Sequence, residues 1–244
     1  MTQNSQLSYK GVWIGLTIIV LWFALLVFNI RYEVNYASIW TYILILLQAH
    51  LYTGLFITAH DAMHRTVLPQ NLKVNHFVGK ICTFLFMFND YSKLYPKHHE
   101  HHRHAGTEHD PDFHKGNENF WVWFFNFAKE YVTLWQMIAA TITLNVLRFV
   151  FPLENLLLFW IVPSLLSTLQ LFYFGTYLPH HGHHEEGNSH RARSQKRNHL
   201  LAFFSCYFFG YHYEHHDSPW TPWWALWKKK AAYDKTLDHI KVHK

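Results

Sequence analysis

The chain has 244 residues, of which 50% are hydrophobic, 19% aromatic and only 15% charged, where a soluble domain carries about a quarter charged residues. The aromatic content excludes a disordered chain, and two separated cysteines, Cys82 and Cys206, exclude a disulfide scaffold. Twenty-two histidines stand beside 21 Lys+Arg and 16 Asp+Glu, too many for ordinary surface use. A mean hydropathy of −0.09 looks soluble, but it averages apolar stretches against histidine-rich ones. The composition points to an all-α integral membrane protein with a single domain over residues 1–244.

Charge-free windows mark the spans. Gly11–Ile30 lies between Lys10 and Arg31, and no Asp, Glu, Lys or Arg falls between Glu33 and Asp61. Tyr131–Leu147 and Asn155–His184 are likewise free of these residues, the latter apolar as far as Leu178. Crossing ~30 Å of hydrocarbon at ~1.5 Å per residue takes roughly 20 residues. We therefore expect about four transmembrane helices, near 12–30, 37–60, 130–151 and 155–178. Three shorter apolar pieces, Val74–Asn89, Asn119–Phe127 and Leu200–Gly210, read as interfacial or re-entrant helices.

Four spans return the chain to its starting side. The two short outer connections then hold only Arg31 and Arg148, leaving 19 basic residues on the two tails and the middle loop. That bias places the termini and the middle loop in the cytoplasm. It also accounts for the pI of about 9.1 without nucleic-acid binding. No cleavable signal peptide is expected, because the first apolar stretch is long and no small-residue cleavage pattern follows it.

The histidines carry the chemistry. His60 and His64 (HDAMH) end the second span four residues apart and share one helical face. His98, His101 and His102 repeat as H-x-x-H-H in the middle loop, and His212, His215 and His216 do so near the C-terminus. On a helix, three imidazoles at i, i+3 and i+4 point to a common site. His180 closes the fourth span at the same membrane face. Eight or nine imidazoles exceed the four of a structural zinc or the three of a catalytic one, so two metals with open positions fit better. Imidazole binds Zn, Cu, Fe and Ni alike, and the Glu-x-x-His motif of soluble di-iron bundles is missing.

In this order, H-x-x-x-H, H-x-x-H-H and H-x-x-H-H on four spans resembles the membrane fatty-acid desaturase and hydroxylase superfamily. Within it the chain is similar to bacterial-type β-carotene ketolases, through HDAMH at His60–His64, HHRHAGTEHDPDF at His101–Phe113, FGTYLPH ending at His180, and HYEHHDSPWTPWW at His212–Trp224. The resemblance implies two Fe ions, O2 as co-substrate, and conversion of the C4 methylene of a carotenoid β-ionone ring to a ketone. It also implies a ferredoxin-like electron donor, since no nucleotide-binding glycine motif is present. It favours His180 as the extra ligand, with His190 and His199 as other candidates for that role or for supporting a ligand from behind.

Around the boxes, Asp61, Asp110, Asp112, Glu100 and Glu214 are placed to accept an imidazole N–H, and the Pro in DPD suggests a fixed turn. Most tryptophans read as interface belts. Lys228–Lys230 reads as an anchor to anionic lipid, and Arg191, Arg193, Lys196 and Arg197 as a docking patch for an acidic redox partner or an orientation signal. The boxes alone also admit a fatty-acyl desaturase, an alkane hydroxylase or a carotenoid 3-hydroxylase. From another class, a membrane metal transporter needs polar groups inside its spans, for which His50 and Gln48 are the candidates.

Overall fold

The computed structural model describes residues 8–242, the last six of these by backbone alone. It is all-helical, with no strand among the described residues. Among the described residues ten helices follow in order: α1 (Lys10–Asn29), α2 (Ile39–Met63), α3 (Leu72–Leu85), α4 (Tyr91–His104), α5 (Phe120–Tyr131), α6 (Leu134–Leu147), α7 (Leu153–His180), α8 (His199–Cys206), α9 (His212–Asp217) and α10 (Trp223–Val242). Helices α1, α2 and α7 are long and apolar enough to cross a membrane, so this is a multi-pass membrane protein. Helix α7 is 28 residues long and includes two π-helical turns, Leu157–Ile161 and Tyr173–Tyr177.

The window read as a span over 130–151 is occupied differently. Helix α5 ends at Tyr131, and Thr133 starts a new helix by accepting from the Gln136 amide while the Gln136 side chain accepts from the Thr133 amide. Fourteen residues later α6 ends before Arg148. At ~1.5 Å per residue it covers roughly 21 Å, so it reaches across the hydrocarbon only together with its flanking residues. The capping box is what divides the apolar window.

The chain forms two compact units, Met1–Lys93 with Val132–Thr168, and Leu94–Tyr131 with Leu169–Lys244. In the first, α1 turns Trp13, Val20, Phe23 and Phe28 outward, as a lipid-facing helix does. Several polar groups inside it bond to one another or to the backbone, as a medium without water favours. Gln48 donates to the Trp22 carbonyl at 3.3 Å, Asn155 donates to the carbonyls of Asn29 and Tyr32 at 3.0 and 2.7 Å, and the Thr53 and Ser167 hydroxyls stand 2.8 Å apart. Gln48 is thus a structural bond rather than a step on an ion path.

Helix α3 ends in a reversal of the chain. The Phe88 amide donates to Phe84 at 2.8 Å and the Asn89 amide to Thr83 at 3.1 Å, with Met87 and Phe88 at φ of 54° and 60°. Left-handed backbone at two bulky residues costs energy, so surrounding packing holds it. Just after it, the Tyr91 ring lies over Gly79 with Ala62 beside it. A Cβ on Gly79 would stand 2.4 Å from Tyr91 and 2.8 Å from Ala62. Gly79→Ala is therefore expected to destabilise the first unit by about 1–3 kcal/mol, read as a lowered midpoint of thermal unfolding in detergent; an unchanged midpoint contradicts this packing.

Candidate metal centre

The second unit gathers seven of the expected ligands. His101 from α4, His180 from the end of α7, and His212 and His216 from α9 are all buried, and each offers a ring nitrogen within 4.8 Å of the others. His101 Nε2 stands 3.1 Å from His216 Nε2, His216 Nε2 3.0 Å from His212 Nε2, and His212 Nε2 3.1 Å from His180 Nε2. Beside this tetrad, His102 Nε2 lies 2.9 Å from His215 Nε2. The His98 ring is 4.7 Å from His102 and 6.2 Å from His215. Both H-x-x-H-H sequences are helical, in α4 and α9, and that periodicity sends the three rings of each box to one side.

The remaining expected ligands lie in the first unit, at the C-terminal end of α2. The rings of His60 and His64 are 4.9 Å apart, and His60 is buried. Asp61 Oδ1 is 3.6 Å from His60 Nδ1, beyond hydrogen-bond length.

Groups outside the tetrad set its tautomers. His101 Nδ1 donates to Asp110 Oδ1 at 2.9 Å, and His180 Nδ1 donates to the Arg191 carbonyl at 2.7 Å. In the neutral rings this leaves both Nε2 atoms as lone pairs pointing inward. His212 and His216 then have two Nε2 protons at most for three nitrogen–nitrogen contacts, and His216 Nδ1 is buried without a hydrogen-bond partner. A cation among the four nitrogens satisfies all of them at once. The residues therefore fit a metal, and the neighbouring His98, His102 and His215 fit a second.

The turn after α4 is built to hold Asp110. The Gly106 amide donates to Asp110 Oδ2 and the Asp112 amide to Asp110 Oδ1, each at 2.8 Å. Asp112 sits 3.7 Å from His101 Nδ1, accepts from the Tyr131 hydroxyl, and has its carbonyl bonded by Trp123 Nε1 at 2.6 Å. Burial disfavours a charged Asp110, but His101 and two amide donors hold its pKa low. Burial together with the Asp110 charge pushes Asp112 up. Without a cation, burial works against a charged His101, yet the two carboxylates outweigh it and raise His101 to about 9. A metal ion takes the place of that proton.

Other expected residues serve elsewhere. Glu214 meets Ser194 Oγ and, at 3.3 Å, Lys230 Nζ rather than an imidazole. Lys230 is nine-tenths buried and also bonds Asp234 at 2.8 Å, so it is not a lipid anchor. Glu100 is exposed. His190 lies 5.9 Å from the His216 ring, while His199 bonds the Tyr211 hydroxyl at 3.0 Å. Sequence reasoning missed Tyr131, Trp123 and the Arg191 carbonyl. Nothing in the local pattern marks a phenol 19 residues from its acceptor, or a backbone oxygen.

A model of the fatty acid desaturase family matches residues 37–133 and 127–243. Among curated proteins, the chain is 40% identical over 231 residues to a zeaxanthin 4-ketolase of Chlamydomonas reinhardtii, covering 88% of this chain and 52% of that protein. It is 44% identical over 184 residues to beta-carotene 4-ketolase 3 of Haematococcus lacustris, covering 72% and 58%. To a beta-carotene ketolase of Paracoccus sp. (strain PC1) it is 38% identical over 179 residues, covering 72% and 73%. The chain thus spans little more than half the length of the two algal relatives. With its histidine boxes on α2, α4 and α9 and the family match running through all three, the chain belongs to the fatty acid desaturase family.

Proposed function

We propose that the chain is a membrane oxygenase that places a keto group at C4 of carotenoid β-ionone rings. β-Carotene passes through echinenone to canthaxanthin, and 3-hydroxylated rings such as those of zeaxanthin lead towards astaxanthin. One observation carries this reading: buried imidazole sets fit for two metals, on a chain 38–44% identical to three ketolases.

Each hydroxylation takes O2, two electrons and two protons, puts one oxygen atom on the ring carbon and releases the other as water. A second round gives a geminal diol, which loses water to the ketone. His101, His180, His212 and His216 would hold one iron ion, and His98, His102 and His215 would contribute to a second. His60 and His64 are further ligands by the three-box order that the resemblance rests on. Iron bound there supplies the O2-derived oxidising power for breaking an unactivated C–H bond. Asp110 orients His101 and strengthens it as a donor through Nδ1, and the Arg191 carbonyl does the same for His180. Tyr131 and Trp123 fix Asp112 beside this pair. The histidine clusters face the cytoplasm in this reading, which the excess of cations on the tails and middle loop supports, and a ferredoxin-like donor supplies electrons there one at a time.

Expression in bacteria that accumulate β-carotene tests the reaction by pigment analysis. Echinenone and canthaxanthin are expected. Hydroxylated rings would assign the chain to 3-hydroxylation, and unchanged β-carotene with protein in the membrane and a working donor would overturn a carotenoid substrate.

Alanine at His60, His64, His101, His215 or His216 is expected to abolish turnover and lower metal content, measured by elemental analysis of the purified protein. Wild-type activity with any two of these changed would sink the di-metal reading. Asp110→Asn removes the charge behind His101 and takes away an acceptor from the turn, and is expected to cost roughly 10–100-fold in metal affinity or activity. Metal titration of the chelator-treated protein checks it.

A further inference from the structure

The segment from His190 to Gln195 is bonded to one member of the tetrad and to residues that flank the others. Besides the Arg191 carbonyl on His180 Nδ1, the Arg193 amide donates to the Pro179 carbonyl at 3.1 Å and the Gln195 amide to Gly210 at 2.8 Å. Ser194 Oγ accepts from the Tyr213 amide at 3.1 Å and donates to Glu214. The His190 ring stands 5.9 Å from His216. One short strap therefore touches two of the four ligands, by a hydrogen bond and by a ring approach.

The same strap is a cationic surface. Arg191, Arg193, Lys196 and Arg197 are exposed. Arg191 Nη1 donates to the Gly106 carbonyl at 2.7 Å, and Arg193 donates to the carbonyls of His181 and His183. These acceptors are neutral, so they fix the guanidinium groups without cancelling their charge. Among the described residues neither arginine has a carboxylate at ion-pair distance, and Arg197 has only Asp234 at 3.8 Å. From 181 to 199 the sequence contains no Leu, Ile, Val, Met, Phe, Trp or Tyr. A basic segment that inserts into a lipid interface interleaves such residues; this one does not.

We propose that the exposed cations of residues 191–197 are the docking surface for a small acidic one-electron carrier, with electrons entering through the Arg191 carbonyl and His180. This rests on the oxygenase reading, whose reaction consumes electrons that a redox partner must deliver. Tunnelling falls steeply with distance and is helped by bonded contact. A carrier seated on the strap stands one residue and one hydrogen bond from a metal ligand. Complementary charge raises the rate of productive encounter and makes it salt-dependent.

The test uses the iron-loaded enzyme in lipid nanodiscs with reduced plant-type [2Fe–2S] ferredoxin as the probe. The double variant Lys196→Glu with Arg197→Glu leaves Arg191, Arg193 and the histidines intact. Its KM for ferredoxin is expected to rise roughly tenfold at low salt, with the salt dependence of kcat/KM flattened. Its kcat at saturating ferredoxin and its reduction by a small uncharged mediator are expected to stay at wild-type values. Lys228→Glu with Lys229→Glu, an equally exposed pair, is expected to change none of these. An unchanged KM in the strap variant, or an equal rise in the Lys228–Lys229 variant, overturns the proposal. So does a strap variant whose only defect is a lower fraction of chain inserted in membranes, which would make the segment an orientation signal. If the wild-type protein oxidises no carotenoid even with the mediator, the oxygenase reading itself fails, a result distinct from either of these.

Discussion

Four imidazole nitrogens meet in a buried space, and the second unit is arranged around the consequence. Lone pairs at about 3 Å repel one another unless a proton or a cation stands between them, and inside a buried cluster that repulsion is poorly screened. The surrounding groups sharpen the demand. By accepting from Nδ1 of each neutral ring, Asp110 and the Arg191 carbonyl leave the inward nitrogens of His101 and His180 as acceptors, and His101 takes up a further proton where no metal is bound. Rings free to choose a tautomer would share protons and relax. Two of these four are not free to do so, and the cluster is poised for a metal.

The local structure around the tetrad follows from that requirement. A carboxylate on His101 must be aimed, so the turn from Gly106 to Asp112 spends two amides on Asp110. Its second carboxylate needs its own partner, which is the Tyr131 phenol. A carbonyl aimed at His180 needs an irregular segment running past the end of α7. Arg191 adopts a φ of 42° there, a left-handed conformation that regular structure would not provide. The arginine guanidinium groups then close this segment onto the backbone of Gly106, His181 and His183.

The helical part of this design was legible from spacing alone, because i, i+3 and i+4 fix which rings share a turn whatever the tertiary structure. His180 was legible as a residue at the end of a span. The reversal at Phe86–Asn89 was legible only as an apolar piece too short to cross, since nothing in Phe-Met-Phe-Asn announces two left-handed residues. Thr133 and Gln136 do spell a capping box, and a stricter reading of that signal would have split the window at 130–151. Lys230 misled for a different reason. Lys228, Lys229 and Lys230 look alike in sequence, yet a helix rotates them by 100° each, and only the third faces Glu214 and Asp234.

That ion pair explains how an acidic residue is tolerated between three ligands. In His-Tyr-Glu-His-His the helix turns the imidazoles to one side and Glu214 away from them. A buried carboxylate this close to a metal site would otherwise compete for the ion or be left uncompensated at a cost of several kcal/mol. Lys230 and the Ser194 hydroxyl occupy it instead. Burial opposes the charge on Lys230, but Asp234 and Glu214 more than offset this and raise its pKa, so the cation persists. With Glu214 taken, the charge reaching the tetrad comes from the Asp110 side. His101 has a carboxylate behind it, His180 a neutral carbonyl, and His216 Nδ1 no hydrogen-bond partner. Donor strength therefore falls from His101 to His216 across one site, an asymmetry that belongs to this chain's own outer contacts and not to its histidine boxes.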